Sequence, residues 1–362
     1  MKNLKMLICL IIFSVISVLT IYSSTFILST NYKYIYLKQT LWYLIGFIII
    51  FIFYKKKHNF FYKYDKVLYI LGNLLLLLVL FFGTKTNGAK AWFNIPGIGT
   101  FQPSEFMKII LIIVLAKELD KYKNVKLNFK NEFIIILRCF IITLIPSFLT
   151  FLEPDTGNVI IYFIILIAML FVFGIRYRWF IITFLIIGLL CGSFLYLYFY
   201  KKDIFINIFG TNFFYRMDRM LDWKNKEGMQ LTNALVAIGS APIYGYGIGK
   251  TPIYIPEAQT DFIMSIFISN FGFVATILFL LLLIFFDITL ISVGTIQKTK
   301  NKYLITGIAA IIIFQQIQNI GMNLGLLPIT GVTIPFISYG GSSLISYMIL
   351  IGLIFNINKK RV

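Results

Sequence analysis

Long apolar runs separated by short polar segments make up most of the 362-residue chain. A run of about 20 apolar residues can cross a bilayer as an α-helix, because a helix satisfies its own backbone hydrogen bonds. The pattern predicts about ten spans, of which the second and fourth are short and need flanking residues to cross. Their approximate bounds are 6–28, 40–54, 67–83, 104–118, 133–152, 157–174, 179–199, 262–293, 303–324 and 341–357. We therefore expect an all-α polytopic membrane protein, with residues 1–362 forming one integral membrane domain.

Basic residues are concentrated in alternate connections between these runs. One set of connections holds 20 Lys and Arg residues, and the short loops of the opposite set hold four. Because positive residues stay on the cytoplasmic side, this asymmetry predicts that both termini are cytoplasmic. The segment 200–261 is too long for a simple connection and is predicted to be a large extracytoplasmic loop between the seventh and eighth spans. The other predicted outer loops are 29–39, 84–103, 153–156 and 325–340.

The composition narrows the possible functions. The chain is 59% hydrophobic and 13% charged, with a formal net charge of +19. The basic residues lie between apolar runs rather than on a soluble face, so we expect no nucleic-acid partner. One histidine, His58, and three cysteines in apolar stretches leave no His-based metal site or catalytic triad. Any chemistry must come from carboxylates, amines, hydroxyls or a loosely held ion.

Two of the predicted outer loops have unusual sequences. The stretch 213–221 places apolar residues at helical spacing, with Arg216 and Arg219 on the remaining turn, and predicts an amphipathic helix lying on the outer leaflet. The stretch GLLPITGVTIPFISYGGSS (325–343) is rich in Gly and Pro among apolar neighbours. It predicts irregular backbone that enters the membrane, which is tolerated only where protein or a cavity surrounds it.

Acidic residues within or beside the predicted spans are the first candidates for chemistry. Glu105 and Lys108 lie one turn apart near the start of the fourth span. They either form an ion pair that lets both enter the membrane or mark a functional path. Glu153 and Asp155 lie in a tight turn, LEPDTG, where Asp155 either caps the sixth span or belongs to a site.

The stretch IPEAQTDFIM (255–264) places two carboxylates, Glu257 and Asp261, before the eighth apolar run. We predict Thr260 as the N-cap, which would put Asp261 in the first helical turn. A helix N-terminus stabilises a carboxylate, while apolar surroundings raise its pKa. Asp261 is therefore either a base or a residue that compensates the helix dipole.

Cationic side chains on the predicted outer side would suit an anionic lipid headgroup, such as a phosphate or pyrophosphate. Together with one base and a wall open to lipid, they indicate an enzyme for a lipid-linked anionic substrate. These side chains are Lys85, Lys90, Lys108, Arg216 and Arg219.

At these positions the chain resembles the SEDS family of shape, elongation, division and sporulation proteins, RodA, FtsW and SpoVE. The resemblance covers nearly the whole chain. The motifs that carry it are GAKAW (88–92), FQPSEFMK (101–108), EPDTG (153–157), GMQ (228–230), AIGS (237–240), PEAQTDFI (256–263) and NIGMNLGLLPITGVTIPFISYGGSS (319–343). The GMN at 321–323 favours the RodA branch.

The resemblance implies a SEDS-fold peptidoglycan glycosyltransferase in the cytoplasmic membrane of a bacterium. Such an enzyme polymerises lipid II into a nascent glycan strand at the outer face and works with a class B penicillin-binding protein and other elongation or division machinery. By motif, Asp261 matches the expected essential acid, Glu105 and Lys108 match the QPSE acid and the lysine that follows it, and Lys90 matches the basic residue of the loop. With the RodA branch we expect a role in cell elongation and shape; an FtsW-like division or SpoVE-like sporulation role is the alternative.

Several positions depart from the family pattern. Gln259 stands where a histidine is usual, Ser269-Asn270 where an acidic pair is usual, and Ala91 where a second basic residue is usual. Ala241-Pro242 replaces a glycine pair. These changes put the tuning of the site and its rate in doubt, but they leave Asp261, Glu105 and Lys108 in place.

The implied chemistry needs one base and positive charge. We assign Asp261 as the base that takes the proton of an acceptor hydroxyl in an inverting displacement. A pyrophosphate leaves as a stable anion, so no second acid is required. Lys90, Lys108, Arg216 or Arg219, or a Mg²⁺ or Mn²⁺ ion, would neutralise its charge, with Glu257 also placed at the substrate; no organic cofactor is expected. Two other functions stay open: a lipid II flippase, for which Asp287 near the inner end is the one hint, and a non-catalytic scaffold for a penicillin-binding protein.

Overall fold

The computed structural model describes residues 2–29, 32–56, 60–86, 89–95, 99–211, 214 and 229–359. Helices account for most of these residues, because the apolar runs satisfy their backbone groups within each segment. The helices are α1 Lys2–Ser24, α2 Ile35–Lys55, α3 Phe60–Lys63, α4 Asp65–Phe82, α5 Pro103–Lys121, α6 Phe129–Leu152, α7 Thr156–Phe173, α8 Tyr177–Tyr200, α9 Lys202–Phe209, α10 Met229–Gly239, α11 Ile263–Ile296, α12 Thr299–Asn323 and α13 Gly341–Lys359.

Among the described helices, nine are long and apolar enough to cross a membrane: α1, α2, α4, α6, α7, α8, α11, α12 and α13. The predicted fourth span corresponds to α5, whose charged residues lower its hydropathy. That helix packs at the centre of the bundle, against α4, α7, α12 and α13. The polytopic helical class is therefore confirmed. The count of ten spans stays a prediction, because it depends on whether α5 crosses the membrane.

A small β-sheet is the element that the all-α prediction missed. The predicted outer loop 84–103 forms three antiparallel strands, β1 Thr84–Thr86, β2 Ala89–Ile95 and β3 Gly99–Phe101, in the order β1-β2-β3. The strands are too short for their alternation to stand out against the long apolar runs. The sheet rests on the start of α13, where the Ser342 hydroxyl donates to the Thr100 carbonyl (3.0 Å) and accepts from the Gln102 N–H (3.1 Å). It thereby fixes the entry into α5.

The interior of the bundle is unusually polar along α12. That helix buries several amide side chains, namely those of Gln315, Gln316, Gln318, Asn319 and Asn323. Buried amides require hydrogen-bond partners, and many of their partners here are carbonyls of irregular backbone. The segment 324–340 supplies much of that backbone, and its Val332, Ile334 and Phe336 are buried in the core. The predicted irregular backbone is therefore present, and its entry into the membrane stays a prediction.

Helix α11 is broken at Gly272, which has φ 79° and ψ −174°. The segment 240–251 folds back into this break: the Gly247 N–H donates to the Asn270 carbonyl (3.0 Å), and the Phe273 N–H donates to the Ile243 carbonyl (2.8 Å). A Cβ at Gly272 would lie 2.3 Å from the Gly245 nitrogen, so the approach requires glycine. The predicted continuous span 262–293 is consequently two helical pieces. The first, Ile263–Asn270, is buried throughout.

Between α8 and α11 the structure describes α9, α10 and the irregular segment 240–262. The predicted amphipathic helix at 213–221, with Arg216 and Arg219, lies outside the described residues except for Phe214. The extracytoplasmic location of this long connection stays a prediction.

We predict that Gly272→Ala lowers the free energy of unfolding by about 2 kcal/mol or more, since the left-handed backbone and the contact with Gly245 both oppose a side chain. Thermal or denaturant unfolding in detergent measures this. Gly188→Ala is the control, because no atom lies within 4 Å of the added Cβ on the exposed helix α8. Equal stability of the two variants would contradict the close packing at the break.

Candidate functional site

The turn 256–262 carries Asp261 to the start of α11. The predicted N-cap at Thr260 is wrong: the helix begins at Ile263 and Phe262 occupies the cap position. Glu257 adopts a left-handed φ of 54° and its carbonyl accepts from the Thr260 and Phe262 N–H groups, so the chain folds back on itself. The Thr260 hydroxyl is used within this turn, donating to the Glu257 carboxylate at 2.9 Å. Asp261 therefore lies two residues before the helix and not in its first turn.

Hydrogen bonds from the 319–343 segment hold this turn in place. The Ser338 hydroxyl donates to the Thr260 carbonyl (2.7 Å), and the Tyr339 N–H donates to the Gln259 carbonyl (2.9 Å). These bonds satisfy backbone groups that have no helical partner, which matters in a membrane protein because an unsatisfied group is costly there. The motifs at 256–263 and 319–343 are thus joined in one structural unit.

Asparagine side chains on α12 also hold Asp261 itself. The amide groups of Asn319 and Asn323 both donate to the Asp261 carbonyl oxygen, each at 2.9 Å. Neither asparagine is among the site residues predicted from the sequence, although two amides four residues apart in an apolar helix indicate a polar contact on one face.

Asp261 is half-buried, and none of the described residues donates a hydrogen bond to its carboxylate. Its Oδ2 lies 3.7 Å from the point where a Cβ at Gly331 would stand, so glycine leaves this side open. Burial, and secondly the charge of Glu257, raise the pKa of Asp261 to about 7. This carboxylate is basic enough to accept a proton near neutral pH, and the glycine at position 331 leaves room beside it.

The start of α7 packs against the same irregular segment. A Cβ at Gly157 would lie 3.0 Å from the Thr330 carbonyl oxygen, so helix and segment touch at a glycine. Asp155 is the N-cap of α7, accepting from the Asn158 N–H at 3.1 Å. Its Oδ2 accepts from Gln102 Nε2 (2.8 Å) as well as from the Ser104 hydroxyl and the Asn158 amide. Asp155 is thus a cap whose carboxylate also ties α5 to α7, and it has no oxygen left without a donor.

Glu153 has the opposite environment. It is fully buried, and neither carboxyl oxygen has a hydrogen-bond partner within the described ranges. Burial, and secondly the charge of Asp155, raise the pKa of Glu153 to about 9. Near pH 7 the side chain of Glu153 is therefore an uncharged acid.

Glu105 and Lys108 form a buried ion pair of 2.7 Å, with 6% and 1% of their side chains exposed. The Ser346 hydroxyl donates weakly to Glu105 (3.4 Å), and the Lys108 ammonium lies 5.5 Å from the centre of the Tyr347 ring. The mutual ion pair foreseen as one alternative is present. The pair is linked to the Asp155 hub through Ser104 on the same helix, and it has little surface of its own for a ligand.

The remaining predicted positions lie elsewhere. Lys90 is on β2, where its ammonium donates to the Phe81 carbonyl at the end of α4 (2.8 Å). No described contact joins it to Asp261. Arg216 and Arg219 lie outside the described residues. No three His, Cys, Asp or Glu side chains group together as metal ligands in the part of the chain that the structure describes.

A family model described as "Cell cycle protein", that of FtsW, RodA and SpoVE, matches residues 3–362. The chain belongs to this family. Similar curated proteins include the probable peptidoglycan glycosyltransferase FtsW of Haemophilus influenzae, 34% identical over 313 residues, covering 82% of this chain and 74% of the relative. The stage V sporulation protein E of Bacillus subtilis is 31% identical over 327 residues, covering 82% and 79%.

Solved structures share the fold of this family member. One is a chain of a peptidoglycan synthase complex, with a TM-score of 0.78, 24% identity and coverage of 98% of this chain and 97% of that one. Another is the rod shape determining protein RodA of Thermus thermophilus, with a TM-score of 0.70, 24% identity and coverage of 98% and 96%. The predicted SEDS membership is confirmed, and these similarities extend it to the architecture.

One departure from the SEDS pattern now has a structural account. Asn270, in place of an acid, is buried and donates to the hydroxyls of Ser23 (2.8 Å) and Thr251 (3.0 Å). A neutral amide therefore joins α1, the segment 240–251 and the first piece of α11. A carboxylate could accept in this place but could not donate.

Lys108→Met should destabilise the protein by about 3–5 kcal/mol, because it leaves the Glu105 carboxylate buried without its cation. Adding Glu105→Gln should recover most of that loss. Unfolding in detergent measures both variants. If the single and double variants are equally unstable, the two side chains do not act as a pair.

Proposed function

We propose that this SEDS protein is a peptidoglycan glycosyltransferase that polymerises lipid II at the outer face of the bacterial cytoplasmic membrane, with Asp261 as its base. The observation that carries the proposal is the state of Asp261: half-buried, without a donor from the described residues, and with a pKa raised to about 7. A general base works best with a pKa close to the working pH. The similar FtsW proteins are named probable peptidoglycan glycosyltransferases, which supports the same activity.

The reaction joins the 4-hydroxyl of an acceptor sugar to the anomeric carbon of a chain carried on undecaprenyl pyrophosphate. Asp261 takes the hydroxyl proton as the oxygen attacks, and the pyrophosphate leaves from the opposite face with inversion. Because this leaving group is already a stable anion, one carboxylate is sufficient, unlike in glycosidases. Glu257 raises the basicity of Asp261 through its charge.

Positive charge must meet the developing negative charge on the pyrophosphate. In the proposal this is the role of Lys90, Arg216 and Arg219. Lys108 is neutralised by Glu105, so the pair acts as a support of the α5 and α7 hub and not as a direct contact. The chemistry that a Mg²⁺ or Mn²⁺ ion would supply is neutralisation of the same phosphates. Such an ion would bind phosphate oxygens together with one or two carboxylates and would need no cluster of protein ligands.

The biological setting completes the proposal. Both termini would be cytoplasmic, and a class B penicillin-binding protein would cross-link the strand. The curated relatives carry the FtsW and SpoVE names, which fits the division or sporulation alternative. A role in elongation rests on the GMN at 321–323 and stays a prediction.

Asp261→Asn should abolish lipid II polymerisation by purified protein in vesicles, because the amide cannot accept the proton. Asp287→Asn is the matched control: it is an acid on the same helix α11, bonded by Gln316 (3.3 Å), and should keep the activity. Full polymer yield from the Asp261 variant would refute the assignment of Asp261 as the base. Absence of polymer with the wild-type protein would favour a scaffold. Loss of lipid II translocation in the Asp287 variant would instead favour a flippase.

The acidic limb of the pH profile of kcat/KM should lie near pH 7 and should move to lower pH in Glu257→Gln. The negative charge of Glu257 raises the pKa of Asp261, so removing it lowers that pKa, by up to about 1 pH unit. Activity below pH 7 should then increase relative to the plateau. An unchanged limb would show that Asp261 is not the titrating base or that Glu257 does not act on it.

A further inference from the structure

Two amides meet at one carbonyl beside the proposed base. Asn319 and Asn323 are fully buried on α12, and their Nδ2 atoms lie 2.9 Å from the carbonyl oxygen of Asp261. A carbonyl oxygen has two lone pairs, so both positions are used. The two residues are 58 and 62 positions away in sequence, which makes this a contact of the tertiary structure.

The same two amides also bind the neighbouring segments. Asn319 Nδ2 also donates to the Val332 carbonyl (2.8 Å), in the irregular segment whose Gly331 faces the Asp261 carboxylate. Asn323 Oδ1 accepts from the Ser265 N–H (3.1 Å) and hydroxyl (2.6 Å) in the first turn of α11. The asparagine pair therefore links the turn 256–262, the start of α11 and the segment 324–340.

We propose that Asn319 and Asn323 are positioning residues that aim the Asp261 carboxylate at the acceptor hydroxyl by fixing its backbone carbonyl. This inference rests on the proposed function of Asp261.

The need for such positioning follows from the turn. Asp261 precedes the helix, so the α-helical ladder does not hold it. Its carboxylate receives no donor from the described residues, so its direction depends on the orientation of its backbone. A displacement of about 1 Å at a reacting group can reduce a rate about 100-fold. Two bonds to one carbonyl restrict that displacement.

Asn356 offers a matched control with the same chemistry in a different place. It is buried on α13, and its Nδ2 donates to the carbonyls of Phe53 (2.8 Å) and Lys56 (2.7 Å) at the end of α2. Replacing it removes buried amide bonds to backbone carbonyls, as in the asparagine pair, but at the C-terminal end of α2 and not at the Asp261 turn. A purely structural role for Asn319 and Asn323 would make all three positions equivalent.

The test compares Asn319→Leu, Asn323→Leu and Asn356→Leu in the full-length protein. We expect all three to lower Tm in detergent. In lipid II polymerisation, kcat per folded molecule should fall about 10- to 100-fold for Asn319→Leu and Asn323→Leu, and KM should stay within about twofold of the wild type. The reason is that the Asp261 carboxylate is displaced from the acceptor hydroxyl while substrate binding is unchanged. Asn356→Leu should keep the wild-type kcat. Equal kcat in all three variants would overturn the proposal.

Hydrogen–deuterium exchange of the amides in 258–265 gives a second readout that needs no activity. Faster exchange in the Asn319 and Asn323 variants than in Asn356→Leu supports the link, and equal exchange overturns it. If the wild-type protein does not polymerise lipid II, the proposed function fails while exchange still tests the link. If it polymerises and the variants keep kcat, the function stands and the positioning role fails.

Discussion

The site depends on hydrogen bonding to backbone that is not helical. Within a membrane protein, an irregular segment is tolerated only when its N–H and C=O groups find partners inside the protein. The turn 256–262 and the segment 324–340 provide partners for each other, with the hydroxyl of Ser338 and the amides of Asn319 and Asn323 completing the set. These bonds place Asp261 just before the start of α11. The position of the proposed base therefore depends on them.

Three carboxyl groups near the site differ in their hydrogen-bond donors and in their burial, although their chemistry is the same. Asp155 receives a full set of donors and ties α5 to α7. Glu153 receives no hydrogen bond within the described ranges and is held uncharged by burial. Asp261 lies between these extremes, half-buried with an open side at Gly331, and its pKa of about 7 follows from that position. Burial alone therefore does not identify a catalytic acid; access and the absence of donors distinguish Asp261.

Much of the candidate site could be read from local sequence. Asp261 could be predicted because a charged side chain beside a long apolar run is energetically unfavourable and usually marks a functional site. The Glu105–Lys108 pair could be predicted because residues three apart face the same side of a helix. The cap at Asp155 follows from the turn residues around it. The N-cap at Thr260 was wrong because the left-handed Glu257 bends the chain and takes the threonine hydroxyl into the turn. Residue propensities do not predict the left-handed backbone at Glu257 that produces this bend.

The sequence by itself determined the helical membrane class, the approximate spans and the acids worth testing, because apolar length, charge distribution and short spacing act within one segment. Only the tertiary structure decided that Gly272 breaks α11, that a sheet at 84–101 seats α5 on α13, and that two asparagines hold the Asp261 carbonyl. Each of these features depends on backbone groups that find hydrogen-bond partners far away in the sequence. Such long-range pairs produce no periodic pattern in a single sequence, so they could not be predicted from it.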